Sequence, residues 1–310
     1  MEKQKTQCSI KGRTSLGGGI KDMAQSPSHL LGQIIGDLLE EAIIDFYKPV
    51  AHDLALYLDY KHPRPARNGN KVVSWRDING NLHDLDIVME NGGSESVFGA
   101  AKAFIEVAWR RYTKHSKNKV QEVSAAILPI VRGYGQYCPF YGAVLAGEFT
   151  DTALDQLRSE GFAVVHLPIE VIWSAFQNVG IDIFWDEETS EDILQKKVSQ
   201  CSHLTEQDRE IIKSIFIRSG RKQIDTFTNA LRSSVQRYIT KVMIASLYGN
   251  VQEFSSIQEA CVYIMNTPPT SCNVSFMKYE IRVVYSNGSY YDMVFGEPQE
   301  ALRALNQFMT

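Results

Sequence analysis

The chain has 310 residues, 44% hydrophobic and 22% charged, a balance that fits a soluble globular protein and excludes a fibrous or largely disordered one. That length allows one large domain with small additions, and a core of that size needs no disulfide or structural metal. A formal net charge of -4 excludes a uniformly basic nucleic-acid coat but leaves room for a local basic groove.

Residues 1–28, rich in Lys, Gln and Ser with the run Gly17-Gly18-Gly19, read as a flexible tail. Ser26-Pro27-Ser28 then opens a helix. Leu30, Leu31, Ile34, Ile35, Leu38, Leu39, Ala42, Ile43 and Phe46 recur in it at helical spacing, and Pro49 marks its end. A second helical stretch is expected over Ala51–Tyr60, and His62 to Gly69 reads as a loop. Val72–Ile78 and Leu82–Met89 flank Asn79-Gly80, which signals a hairpin. Past the turn Asn91-Gly92-Gly93, Ala103–Trp109 reads as a buried strand. The basic stretch Arg110–Lys119 leads into a helix with Ser116 as N-cap, running to Leu128 before Pro129.

Phe140–Ala146 and Ala163–Leu167 are further apolar strands, separated by a helix over Thr152–Glu160 with Gly161 just past its end, and Ile169–Val179 is helical. This succession predicts an α/β fold, a mixed central β-sheet flanked by helices. Asp186–Ser190 is an acidic loop and Glu191–Tyr248 reads as mostly helical. Lys278–Tyr285 and Ser289–Phe295, joined at Asn287-Gly288, and Pro298–Phe308 predict a terminal hairpin and helix. The expected organisation is a tail over 1–28, a core over 29–185, a helical region over 186–274 serving DNA contact or dimerisation, and a small ββα unit over 275–310.

Five cysteines, Cys8, Cys138, Cys201, Cys261 and Cys272, are odd in number and widely spaced, with no C-x-x-C. That pattern speaks against a zinc site or a disulfide framework and fits a reducing cytoplasm. No apolar run approaches the roughly 18 residues of a membrane span, and Met1 to Met23 lacks an apolar signal core. Neither membrane insertion nor secretion is expected.

The chemistry-bearing residues cluster after the hairpin. Asp84 and Asp86 sit two apart and so share one side of a strand, and Asp86 leads straight into Ile87-Val88-Met89. A carboxylate entering a buried run is costly unless it is solvated or binds something. For either Asp alone, an edge charge facing water is an equally good account. Glu106 sharpens the case, because it interrupts the apolar run Ala103–Trp109, and ionised carboxylates are seldom buried without a partner. A salt bridge to Arg110 is the plain alternative. Arg110, Arg111, Lys114, Lys117 and Lys119 follow with no acid between them. Two acids on adjacent strands can hold Mg²⁺, which activates water and draws charge from a phosphodiester. A neighbouring cation stabilises the charge that develops, and the helix after Ser116 would aim backbone N–H groups at a phosphate.

Asp86-Ile87-Val88, followed twenty residues later by Glu106-Val107-Ala108, resembles the Asp…Glu-x-Lys signature of the PD-(D/E)XK, restriction-endonuclease-like nucleases. Gly36-Asp37-Leu38-Leu39-Glu40 resembles the helical glutamate that often precedes it. Gln121 and Glu122 fall where many members carry a polar residue on the next helix, and Trp109 to Gln121 resembles a block of restriction-enzyme-type proteins. The likeness spans roughly residues 30–180. It departs from the family at Leu85, where a proline is usual, and at Ala108, where the lysine is usual.

The resemblance implies a restriction-endonuclease-like core and a Mg²⁺-dependent, sequence-specific endonuclease of the type II restriction class acting on double-stranded DNA. Asp86 and Glu106 would bind the metal with the Val107 carbonyl, and Glu40 and Gln121 would support the site. Lys117, one helical turn before Gln121, is the first choice for the missing cation, with Lys119 and Arg110 as rivals. Cutting both strands implies a homodimer. A prokaryotic cytoplasm and a separately encoded cognate DNA methyltransferase are consistent with that class.

Two other functions fit the same residues: a repair, recombination or modification-dependent nuclease, and a degenerate, DNA-binding module marked by Ala108. His83 and His115 flank the site and are more readily structural than catalytic. Gly133-Tyr134-Gly135 is an ordinary loop, and no Walker-type phosphate loop occurs. Ile211–Lys241 carries seven basic residues against Asp225, so it forms either a phosphate-contacting face or a solvated surface.

Overall fold

The structure, a computed structural model, describes residues 26–137, 139–246, 251–267 and 278–309. The tail expected over 1–28 lies outside them apart from its last three residues, as do Cys8, Cys138 and Cys272.

Helix α1 (Pro27–Asp53) begins where Ser26 is extended and its Oγ accepts from the His29 N–H. Pro27 fits the first turn, where a missing N–H costs nothing. Leu31, Ile35, Leu38, Leu39, Ala42, Ile43 and Tyr47 bury its apolar stripe. Pro49 does not end the helix, which runs on to Asp53. Near the last turn a proline forfeits one backbone bond, and the buried Val50 and Ala51 hold the remainder. The second helix expected over Ala51–Tyr60 does not form. Ala55 turns the chain at φ 53°, and strand β1 (Leu56–Tyr60) follows. Pairing along a sheet outweighs the weak local preference there.

Strands β2 (Val73–Arg76) and β3 (Leu82–Leu85) form the expected hairpin, with Gly80 at φ 86°. The second arm breaks at Asp86 and resumes as β4 (Ile87–Asn91). Next come β5 (Ala100–Arg110), α2 (Ser116–Arg132), β6 (Phe140–Gly147), α3 (Asp151–Ser159), β7 (Ala163–Leu167) and α4 (Ile169–Gln177). Ser116 is not the cap of α2. A 3₁₀ turn over Thr113–His115 precedes it, His115 stands at the cap, and the Ser116 hydroxyl donates to the Thr113 carbonyl. Pro129 again lies inside the helix.

The sheet order is β1-β4-β5-β6-β7, antiparallel from β1 to β5 and parallel from β5 to β7. This is the mixed α/β sheet that the sequence predicts. Helices α1, α4, α5 (Glu191–Ser202), α6 (Glu206–Ser219) and α7 (Arg221–Val235) bury one face, around Ile43, Ile105, Val144, Ile172 and Phe216. Helices α2 and α3 bury the other, around Phe104, Val120, Ile127, Leu145 and Leu157.

The helical stretch expected through Tyr248 stops at Val235. Strands β8 (Ile239–Ser246) and β9 (Gln252–Phe254) follow, then α8 (Ile257–Asn266), β10 (Tyr279–Tyr285), β11 (Tyr290–Phe295) and α9 (Pro298–Asn306). The terminal hairpin and helix thus join a larger antiparallel sheet, β11-β10-β8-β9, whose core of Val242, Ile244, Ile264, Ile281, Val283 and Leu305 is its own. No helix among the described residues is long and apolar enough to cross a membrane.

One buried ionic cluster ties the loop after β1 to the sheet. Arg64 is wholly buried between Asp59 on β1 and Glu90 on β4, both also at 0% exposure. Its Nη1 donates to Asp59 Oδ2 and to Glu90 Oε1, each at 2.6 Å. Its Nη2 donates to the carbonyls of Ser94 (2.7 Å) and Val97 (2.8 Å). Tyr57 and Phe98 cover the guanidinium, and Arg67 closes on Asp59 from the other side. With every donor matched, the cluster pins residues 60–67 and 92–99 to the sheet edge. Arg64→Met leaves the buried Glu90 carboxylate without a cation and Asp59 with Arg67 alone, so unfolding in urea should show a loss of about 3–5 kcal/mol with an unchanged denaturant slope.

Candidate active site

The β4–β5 ladder ends at Ile87↔Ile105. One residue further on each strand stand Asp86 and Glu106. There the backbone–backbone ladder gives way to reciprocal side-chain bonds: the Asp86 N–H donates to Glu106 Oε1 (3.4 Å), and the Val107 N–H donates to Asp86 Oδ2 (2.7 Å). Glu106 is 6% exposed and Asp86 half-buried. Helix α1, lying across β5, brings the half-buried Glu40 towards them.

The electrostatics are those of crowded acids. Burial, reinforced by the Asp86 charge, raises the Glu106 carboxyl above its ordinary range, against the pull of Lys119. Burial raises Asp86 too, opposed by the Val107 N–H, Lys119 and Lys61. Glu40 is pushed up to about 7 by burial and then by Asp86, with Lys61 acting the other way. A cleft lined by Glu40, Val107, Ala108, Arg110, His115 and Lys119 opens beside the acids.

Among the residues predicted from sequence, the structure therefore gathers Glu40, Asp86, Glu106 and the Val107 backbone. It does not gather Lys117 and Gln121, which are both exposed. The reason is helical phase. At about 100° per residue, Lys117 and Gln121 fall on one flank of the buried stripe Ser116, Val120, Val123, Ile127, and Lys119 falls on the other, beside the acids. Lys119, a rival in the sequence reading, is the α2 cation that acts on Asp86 and Glu106.

Arg110 lines the cleft, but its guanidinium engages the Trp109 carbonyl (2.9 Å) and Glu122 (3.6 Å). His83 bonds Asp77 within the hairpin turn (3.0 Å), and Asp84 accepts from Ser74 (2.7 Å) at the surface. Ala108 is 5% exposed and packs in the core. The basic run over 211–241 is largely neutralised: Lys213 pairs with Asp45, Arg221 with Asp225, Arg232 with Asp53 and Lys241 with Glu253. Lys61 was missed by the sequence reading. Its only signal was its place at the end of a stretch misread as helix.

Among the described residues, no group of three or more His, Cys, Asp or Glu gathers in an arrangement that encloses a metal ion. Asp86 and Glu106 remain a two-carboxylate set, and a hydrated Mg²⁺ requires no more than one or two. Burial first, and for Glu106 the neighbouring Asp86 charge second, makes the ionised carboxylates costly here, a cost that a bound divalent cation would offset. In this respect the donor set fits.

No family model matches the chain, and no curated protein matches it. A solved structure, a protein of unknown function designated AF1548, aligns at 12% identity over 59% of this chain and 99% of its own, with a TM-score of 0.28.

The Glu40 shift has a consequence for stability. Below its ordinary value of 4.5 the carboxyl is protonated in both the folded and the unfolded chain. Between 4.5 and about 7 the unfolded chain releases its proton first, so stability falls as pH rises. Glu40→Gln should therefore leave the melting temperature unchanged at pH 4 and raise it at pH 8. Equal shifts at both values would contradict that account.

Proposed function

We propose that the protein is a Mg²⁺-dependent endonuclease acting on double-stranded DNA, with Asp86 and Glu106 as its metal-binding carboxylates. The observation that supports this most is the pairing of those two acids, directly opposite each other where the ladder ends, beside a cleft that Lys119 lines. N–H and C=O of one strand residue point towards the same neighbouring strand. The Val107 carbonyl therefore aims to the Asp86 side, beyond the last paired residue, and adds a neutral oxygen to the set.

Bound there, Mg²⁺ supplies electrophilic pull on the phosphate and makes water acidic enough to attack it. The protein's residues do the rest. Lys119 lies on the cleft wall, where its ammonium offsets charge gathering on the phosphoryl oxygens. Glu40, with a carboxyl near pKa 7, exchanges protons readily at neutral pH. Ala108 leaves no cation at the position two residues beyond Glu106, Arg110 is turned to Glu122 and the Trp109 carbonyl, and Lys119 takes that electrostatic part from the neighbouring helix. Cleavage of both strands calls for two such sites, hence a homodimer. Site-specific cutting of the type II restriction class is the form of activity the proposal carries.

Digestion of unmethylated phage DNA with Mg²⁺ tests it. Wild-type protein should give discrete fragments, and Glu106→Ala and Asp86→Ala should each lose at least about a hundredfold in rate. Lys119→Ala should fall about as far, with Lys117→Ala close to wild type. Mg²⁺ should also raise the melting temperature of the wild type but not of Glu106→Ala. A smear lost in the mutants would point to a repair or structure-directed nuclease. No cleavage of modified or unmodified DNA, together with no Mg²⁺-induced shift, would refute the enzyme and leave a DNA-binding module.

A further inference from the structure

We propose that Lys61 contacts the phosphate backbone of the substrate, and that the buried Arg64 cluster exists in part to hold it there. This deepens the nuclease reading and rests on it.

Four observations carry the proposal. The β1–β4 register ends at Tyr60↔Ile87, and carried one residue further it sets Lys61 opposite Asp86. Strand alternation places Lys61 on the same side as Asp59, two residues before it, and Asp59 is the anchor of the Arg64 cluster. Lys61 is exposed, and among the described residues it makes no hydrogen bond and no salt bridge. Lys119, by contrast, lies 3.6 Å from Glu122. Finally, the backbone around Lys61 is held on both sides. Arg67 Nη2 donates to the His62 carbonyl (2.7 Å) and to the Tyr60 carbonyl (3.3 Å), His62 Nδ1 bonds the Tyr60 carbonyl (2.8 Å), and Arg64 is fixed three residues on.

An unpaired ammonium on a segment whose backbone is pinned opposite Asp86 has an evident use. Its charge opposes the upward shifts of Asp86 and Glu40. A lysine on a flexible loop would give most of its charge to solvent, but here the backbone that carries it is held at the level of Asp86. Lys61 and Lys119 come from different elements, the end of β1 and helix α2. A phosphodiester lying over Asp86 and Glu106 would therefore meet positive charge from two sides. The guanidiniums of Arg64 and Arg67 are both turned onto Asp59, so neither competes with Lys61 for a phosphate.

The test is duplex binding without divalent metal, by fluorescence anisotropy of a labelled duplex across a salt series, so that cleavage plays no part. Each phosphate contact steepens the dependence of log affinity on log salt by about 0.9. Lys61→Gln removes the charge, keeps a polar side chain and should flatten the slope by about that amount. Its affinity loss between 50 and 200 mM salt should be about threefold smaller than that of wild type. Lys61→Arg should restore the wild-type slope. Arg158→Gln, at an exposed position of α3 paired with Asp155, should not alter it, and the melting temperatures should agree. If wild type binds and Lys61→Gln shows the same slope, Lys61 touches no phosphate and this inference falls while the nuclease reading stands. If wild type binds no duplex at any salt, this inference falls, and the nuclease reading is decided by the digestion with Mg²⁺.

Discussion

Everything at the site depends on a backbone ladder that stops one residue early. Ile87 and Ile105 are the last pair of β4 and β5, and beyond them the Glu106 carboxylate accepts from the Asp86 N–H and the Asp86 carboxylate from the Val107 N–H. The two acids therefore hold the strand ends together as well as facing the cleft. The arrangement is also unforgiving. A slip of one residue in the register would send Asp86 and Glu106 to opposite faces of the sheet. The Arg64 cluster guards against such a slip from the other edge, by fixing β1 and β4 to each other through Asp59 and Glu90.

Most of the central sheet was legible in the sequence because its strands are short apolar runs bounded by turn residues. Phe140–Ala146 and Ala163–Leu167 match β6 and β7 to within a residue. What went unread has two physical sources. Leu56–Tyr60 is a strand by tertiary pairing and does not alternate, running buried, half, half, buried, half. Ile239–Ser246 does alternate in burial from Lys241 onward, but the run Val242-Met243-Ile244-Ala245 is apolar on both sides and hides that period in the sequence. Pro49 and Pro129 lie inside helices that the sequence ends at them, because a proline close to a helix end removes little and neighbouring burial decides.

At the site, Asp86 and Glu106 stood out because each violates an apolar pattern, and that violation is visible in one dimension. The cations did not stand out, because a surface lysine violates nothing. Choosing Lys119 over Lys117 needs the rotation of α2 about its own axis, which the helix's neighbours set and its spacing alone does not. Lys61 needs the register of β1 against β4. Arg64 is the harder case: a wholly buried guanidinium looks, in sequence, like any other loop arginine.

The layering also divides the electrostatic labour. The strands provide two acids and a backbone oxygen, one helical layer brings Glu40, and the other brings Lys119. Since no single element contains both an acid of the site and a cation that balances it, the site has no meaning until the layers meet.

Helix α1 sets the terms on which they meet. Glu41 bonds Arg209 and Asp45 bonds Lys213, each 168 residues along the chain, Asp53 bonds Arg232 at 179, and Tyr47 bonds Thr228 at 181. The helix leaves the ribosome ahead of all of these partners. At ordinary rates of synthesis, roughly 10 to 35 seconds pass before they follow. Within that interval β1 and β5 emerge to cover part of the stripe of Leu31, Leu38, Leu39 and Ile43, and the rest waits for α5 and α6. The long separation makes assembly slow, because loop entropy must be lost before these contacts return anything. For this fold the hazardous moment is therefore birth, when a holdase or a crowded neighbour competes for the same apolar stripe that the sheet will later bury.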